Sequence, residues 1–222
     1  MEATTLADRL QNKVAGVCLI AGAVLWAPTT FFEYSEEMLF GAGAFGVLIY
    51  ALLIPGLLGI ARMLRPSAPR LSVIAGLLAT FGCVAGATFQ SALLHEWAVR
   101  TAGTPEPILA AIMALTAGRV FPVLVILGIQ FPISLLTLSI GHFRSGVVPV
   151  WVATLLGIGA IAFPVGHIGS IQIVQHAAET ILLVPLLWLG LRLFGAADDV
   201  ESLGIMYVPV QWLKNRRTKI VR

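Results

Sequence analysis

Charged side chains are scarce in this sequence. Of its 222 residues, 11% are Asp, Glu, Lys or Arg, whereas 58% are hydrophobic. An ordinary soluble domain has about 25% charged residues, and a chain of this size has too much surface to hide its apolar groups inside one core. The composition therefore excludes an ordinary soluble protein and predicts that lipid surrounds most of the chain.

Cysteine and catalytic motifs are equally sparse. The two cysteines, Cys18 and Cys83, lie in apolar runs without a second cysteine at CxxC or metal-ligand spacing, so we interpret them as small buried hydrophobes rather than a disulfide. No HExxH motif, GxSxG elbow or phosphate-binding loop is present. The N-terminus lacks a signal-peptide cleavage site, so the first apolar run is expected to remain as a transmembrane helix.

Six apolar runs are each long enough to form a spanning helix, which needs about 20 residues. Residues 107–142 are too long for one crossing, so we divide them at Ala117-Gly118 into a short outer-surface helix, 107–116, and a span. The predicted spans are residues 14–32, 39–64, 71–98, 119–142, 148–166 and 171–194. The predicted fold is all-α: a polytopic six-helix transmembrane bundle at 14–194, with an N-terminal segment 1–13 and a basic, interfacial tail 195–222.

Positive charge is distributed unequally between the two sides of the predicted bundle. If the N-terminus is cytoplasmic, Arg100 and Arg119 are the only two of the 14 Lys and Arg residues on the outer side. Because cytoplasmic loops are enriched in Lys and Arg, this distribution predicts that both termini are cytoplasmic.

Two segments of the chain align with each other without gaps. In residues 51–62 and 181–192, Pro55 coincides with Pro185, and both segments end in arginine. This match predicts that helices 1–2 are repeated as helices 5–6, although Leu-rich helices that end in Arg can also match by chance. Repeats are common in membrane transporters, where a binding site often lies between the copies, but a repeat does not require transport.

Three short motifs resemble those of a bacterial six-pass family, the domain of unknown function 4386. They are Phe-Arg-Ser-Gly-Val-Val-Pro-Val-Trp at 143–151, Lys-Val-Ala-Gly at 13–16, and Arg-Met-Leu-Arg-Pro at 62–66. The resemblance implies a bacterial inner-membrane protein without an established reaction, and it supplies no catalytic residue. Within the first motif, we expect Gly146 to take a positive φ and Pro149 to start the next helix.

Polar residues gather near the outer side of the predicted bundle. Glu179 lies about 12 Å below the outer end of the sixth span, at 1.5 Å per residue. A carboxylate at such depth costs about 3 kcal/mol, so its side chain should face protein or water. His176 is three residues earlier in the sequence and shares a helix face with Glu179.

Four interpretations of these residues remain open. Glu179 could be a structural ion pair with Arg119, or it could be a relay group for protons or cations. The histidines and Glu179 could bind zinc or haem, since three imidazoles and a carboxylate can form a zinc site. Alternatively, an outward-facing pocket for a small ligand or cation could be formed by His95, Glu96, His167, His176, Glu179 and Gln90.

The leading functional hypothesis is a bacterial inner-membrane protein with a non-catalytic role, sensing or binding a ligand or partner through the outward-facing pocket. A small proton- or cation-coupled transporter is the alternative, and a membrane metalloenzyme is the third. No cofactor is predicted, and a metal enters only with the third hypothesis. The expected partners are membrane lipid and, because the chain is only 23.6 kDa, a second copy or a larger membrane complex. Nucleic acid is not expected.

Overall fold

The structure, a computed structural model, describes residues 6–29 and 38–195. These residues form six long helices and no strand, so the all-α prediction is confirmed. The helices are α1 Leu6–Thr29, α2 Leu39–Met63, α3 Pro69–Thr101, α4 Glu106–Ser145, α5 Val150–Ile168 and α6 Gln172–Phe194. Each of α2 to α6 is long and apolar enough to cross a bilayer, as expected of a multi-pass membrane protein.

The first helix begins earlier than the apolar pattern predicts. We expected the span to start at residue 14, but α1 starts at Leu6 and includes the charged turn around Asp8 and Arg9. Part of the predicted N-terminal segment is therefore helical. Residues 30–37, between α1 and α2, and the predicted interfacial tail from residue 196 onward lie outside the described residues.

The fourth helix is continuous rather than divided. The predicted break at Ala117-Gly118 falls within a π-helical turn, Thr116–Val120, and the chain stays helical on both sides of it. Pro122 has no N–H to donate to the carbonyl of Gly118, which favours wider hydrogen bonding at this point. The segment predicted as a separate surface helix is thus the first part of α4.

The six helices form a closed ring in the order of the chain. Each helix packs against its neighbours in sequence, and α1 also packs against α6. The interior is filled mainly by leucines that are almost completely buried, including Leu19, Leu53, Leu57, Leu135, Leu156, Leu182 and Leu186.

A pair of glycines lies where α1 and α6 close the ring. A Cβ atom on Gly16 would lie 2.7 Å from the carbonyl oxygen of Gly190 and 2.7 Å from the backbone nitrogen of Phe194. These backbone atoms cannot move away by rotation, as the atoms of a flexible side chain can. Because lipid supplies no hydrophobic drive between helices, such close packing at small residues is what holds a membrane bundle together.

The turn between α4 and α5 has the predicted structure. Gly146 has φ +64° and ends α4 in the left-handed conformation. Pro149 caps α5, which starts at the next residue. Both expectations for this turn are therefore confirmed.

Replacing Gly16 with alanine should loosen the α1–α6 contact. Overpacking of this kind costs about 1–3 kcal/mol, so we expect thermal unfolding of the detergent-solubilised protein several degrees lower. Gly41→Ala is the matched control, because a Cβ there meets nothing within 4 Å and both changes raise helix propensity equally. Equal melting temperatures for the two variants would contradict the packing described above.

Candidate functional site

The two ends of the ring differ in charge. Arg62 donates hydrogen bonds to Gln11, which joins the end of α2 to the start of α1, and the contact of Gly16 with Phe194 adds the end of α6. We call this end the basic end; its cations are Arg9, Lys13, Arg62, Arg65, Arg70, Arg144 and Arg192. The opposite end, called the far end, contains the α5–α6 turn.

A histidine and a glutamate meet between α5 and α6, toward the far end. Nε2 of His167 lies 3.4 Å from Oε1 of Glu179. The Glu179 side chain is 5% exposed and the His167 side chain 30% exposed. The carboxylate is thus enclosed by protein, while the imidazole reaches the surface of the bundle.

The hydrogen bonding of His167 determines which of its ring nitrogens faces Glu179. Its Nδ1 lies 3.0 Å from the backbone carbonyl oxygen of Phe163. A carbonyl only accepts hydrogen bonds, so Nδ1 carries a proton. Nε2 is therefore the ring nitrogen that faces the Glu179 carboxylate.

A glycine next to His167 brings the two helices close enough for this contact. A Cβ atom on Gly166 would lie 2.6 Å from the backbone nitrogen of Gln175. Only glycine therefore permits the observed approach of α5 and α6 at this level. The side chain of Gln175 is itself buried there.

An aromatic cluster lies directly beneath the pair. The His167 ring stacks on Phe163, with centroids 4.0 Å apart. Phe163 contacts Trp26 and Phe131 at centroid distances of 5.7 and 5.4 Å, and Tyr50 contacts the same two rings. The aromatic cluster, Trp26, Tyr50, Phe131 and Phe163, therefore connects the pair to α1, α2, α4 and α5. The members of this cluster are far apart in the chain, so the sequence alone does not reveal it.

The other predicted pocket residues lie on α3. His95 is exposed and bonds the carbonyl of Ser91 in its own helix, and Glu96 forms an ion pair with Arg100 one turn later. Gln90 is buried against Gly46 of α2. The helix α3 packs against α2 and α4, whereas His167, His176 and Glu179 belong to α5 and α6. The described structure thus brings His167 and Glu179 together. It places His176 one turn before Glu179 on α6, and His95 and Glu96 in local contacts along α3.

Arg119 is exposed in the π-helical turn of α4. That turn packs mainly against the adjoining turns of α4 itself, and the ion pair between Arg119 and Glu179 stays a prediction. In residues 6–29 and 38–195, no group of three His, Cys, Asp or Glu side chains is arranged to hold a metal ion.

His142 differs from its expected environment. The sequence places it at the cytoplasmic end of the fourth span, yet its side chain is completely buried. Both ring nitrogens are buried, and the backbone of Ile60 and the side chain of Arg192 are nearby. The burial of His142 is evident only from the helix packing, because hydropathy places this residue at the surface of the membrane.

Comparison with known proteins identifies no relative. No protein-family model, no curated protein and no solved structure matches the chain. The resemblance to the domain of unknown function 4386 family therefore stays a prediction.

A double-mutant cycle should detect the coupling between His167 and Glu179. Each of His167→Gln and Glu179→Gln should destabilise the purified protein by about 1–3 kcal/mol, because each leaves a partly buried partner. The loss in free energy of unfolding of the double variant should be smaller than the sum of the two single losses by at least about 0.5 kcal/mol. Thr180→Ala is the control, since its exposed hydroxyl bonds only its own helix.

A second cycle with Arg119→Gln and Glu179→Gln tests the ion pair predicted from the sequence. Coupling as large as that of His167 would confirm Arg119 as a partner. Additive unfolding energies in both cycles would contradict any specific pairing of Glu179.

Proposed function

We propose that this chain is a bacterial inner-membrane protein that crosses the bilayer six times with both termini in the cytoplasm. In this proposal α1 is the sixth crossing, through the apolar residues that follow Lys13 and make up two thirds of its length of about 36 Å. Concentration of Lys and Arg at the basic end supports a cytoplasmic position for that end.

The proposed repeat of α1–α2 as α5–α6 rests on the sequence match, and the pattern of burial agrees with it only in part. When residues 51–62 are laid over 181–192, three matched pairs are buried in both segments, whereas other pairs differ: Ala61 is 3% exposed and its match Leu191 is 41% exposed. The matched positions at which both residues are buried are Gly56 and Leu186, Gly59 and Leu189, and Ile60 and Gly190.

Within this bundle, we propose that the His167–Glu179 pair is a non-catalytic sensing site, open to the far, outer side of the membrane. The observation that carries the proposal is the buried Glu179 carboxylate, 3.4 Å from an imidazole that is itself 30% exposed. His167 gives a proton or small cation access from the surface. Glu179 supplies the buried negative charge that would bind it.

The aromatic cluster gives such a site a route to the rest of the bundle. A cation bound to Glu179, or a proton added to it, weakens its attraction for Nε2 of His167. The imidazole lies on Phe163, whose ring contacts Trp26 and Phe131. A shift of the imidazole would therefore change packing at four helices, as a sensor requires.

A small proton- or cation-coupled transporter is the second candidate. It is favoured by the combination of a buried titratable pair with a repeat whose copies adjoin each other through α1 and α6. Proteoliposomes distinguish the two functions, because a transporter shows uptake that Glu179→Ala abolishes, whereas a sensor binds without uptake.

Cysteine labelling tests the proposed orientation. In a background of Cys18→Ala and Cys83→Ala, Ser170→Cys in the α5–α6 turn should react with a membrane-impermeant maleimide on intact cells. Ser67→Cys, between α2 and α3, should react only after permeabilisation. Both serines are exposed. The reverse pattern, or labelling of both sites in intact cells, would contradict the topology.

Tryptophan fluorescence tests the sensing site. Trp26 contacts the ring on which His167 stacks, so its emission should respond when the purified protein is titrated with acid, Na⁺, K⁺, Zn²⁺ or tetramethylammonium. The response should vanish in Trp26→Phe and Glu179→Gln and persist in Thr180→Ala. An unchanged response in Glu179→Gln would contradict the proposed site.

A further inference from the structure

A groove of about 640 Å³ runs along the outer surface of α2, between α1 and α3. This volume is within the usual range for small-molecule sites, about 300–1,000 Å³. Its walls are apolar side chains that face outward from the bundle: Leu10, Val14, Leu58, Val73 and Leu77. The groove is separate from the His167–Glu179 pair, which lies between α5 and α6.

Polar groups in the groove are concentrated near the basic end. Arg62 and Arg65 line it there, beside Ser72 in the first turn of α3. From Ser72 to Thr80, which also lines the groove, α3 rises about 12 Å. One end of the groove is therefore cationic, and the rest extends along the helices toward the middle of the bundle.

The Arg62 guanidinium has hydrogen-bonding capacity left over. Nη1 donates to the side-chain oxygen of Gln11, and Nη2 donates to its backbone oxygen. Nε is buried without a hydrogen-bond partner among the described residues. An arginine offers five N–H donors in a planar fork that suits phosphate, so an anion could still be bound.

The cationic part of the groove has no acidic side chain in its described lining. None of the residues lining the groove is Asp or Glu, and neither arginine forms an ion pair within the described part of the chain. Asp8 is the one acidic residue that the described structure places near the basic end.

We infer that this groove binds one anionic phospholipid, with the phosphate at Arg62 and Arg65 and an acyl chain along the apolar walls. Lipid is the solvent that faces α1 to α3, and the groove has the amphipathic order of a phospholipid: charge at the membrane surface, hydrocarbon below it. Arginine and lysine near the surface each contribute about 1 kcal/mol to binding of anionic lipid. The inference is independent of the sensing function proposed for the far end.

Native mass spectrometry of the full chain in detergent tests the inference. Titration with phosphatidylglycerol should show one tightly bound lipid, and phosphatidylcholine with the same acyl chains should bind at least about tenfold more weakly. Arg62→Gln with Arg65→Gln should weaken phosphatidylglycerol binding roughly 10- to 30-fold. Arg62→Lys with Arg65→Lys, which keeps the charge, should retain most of it.

Two further variants separate a built site from general attraction to a positive surface. Leu77→Trp fills the groove without changing charge and should weaken phosphatidylglycerol binding. Arg144→Gln removes an exposed cation of the basic end outside the groove and should leave binding unchanged. Melting temperatures confirm that each variant is folded.

Several outcomes would overturn the inference. These are equal binding of the two lipids, loss of binding in Arg144→Gln, full binding in Leu77→Trp, and complete displacement by inorganic phosphate. Phosphatidylglycerol binding that appears only after Asp198→Asn, Asp199→Asn and Glu201→Gln would identify the chain's own C-terminal segment as the occupant. If a dimer appears in the same spectra and binds no phosphatidylglycerol, a second copy of the chain occupies the groove.

Discussion

The close approach of helix backbones at small residues is the constraint on which the rest of this structure depends. Helices in lipid are not driven together by the hydrophobic effect, because the acyl chains are as apolar as the side chains. Gly16 and Gly190 allow α1 to contact α6, which closes the ring between the first and last helices. Gly82 allows α3 to approach the backbone of Phe131 in α4. Larger residues at these positions would separate the helices and open the interior.

Closure of the ring explains how the polar pair and the aromatic cluster come together. The pair belongs to α5 and α6, but the cluster beneath it takes single residues from α1, α2, α4 and α5. Trp26 reaches Phe163 only because α1 lies beside α6, the partner of α5. Replacing a buried ion pair with apolar residues is often neutral or stabilising, so stability alone does not account for a carboxylate at this position.

The membrane explains which features could be predicted from the sequence. Spans of about 20 apolar residues are required by the bilayer itself, so α2, α3, α5 and α6 are within three residues of their predicted ends. The turn at Gly146 and Pro149 was predictable because both residues restrict the backbone locally. The rotation of each helix was not predictable, since both the lipid-facing and the buried side chains are apolar. The sequence therefore paired Glu179 with Arg119 or with histidines in general, and did not single out His167.

The two ends of the bundle accommodate charged side chains in lipid in different ways. Arg62 and Arg65 have long side chains that can extend their charges toward water while their stems remain against apolar surface. Glu179 has a short side chain and lies about two turns inside α6, so it cannot reach the surface in the same way. Its charge must be compensated within the protein, which requires Gly166 to bring α5 close and His167 to face it. The pair therefore depends on the packing of α5 against α6, and a change at the pair would alter the packing of the helices around it.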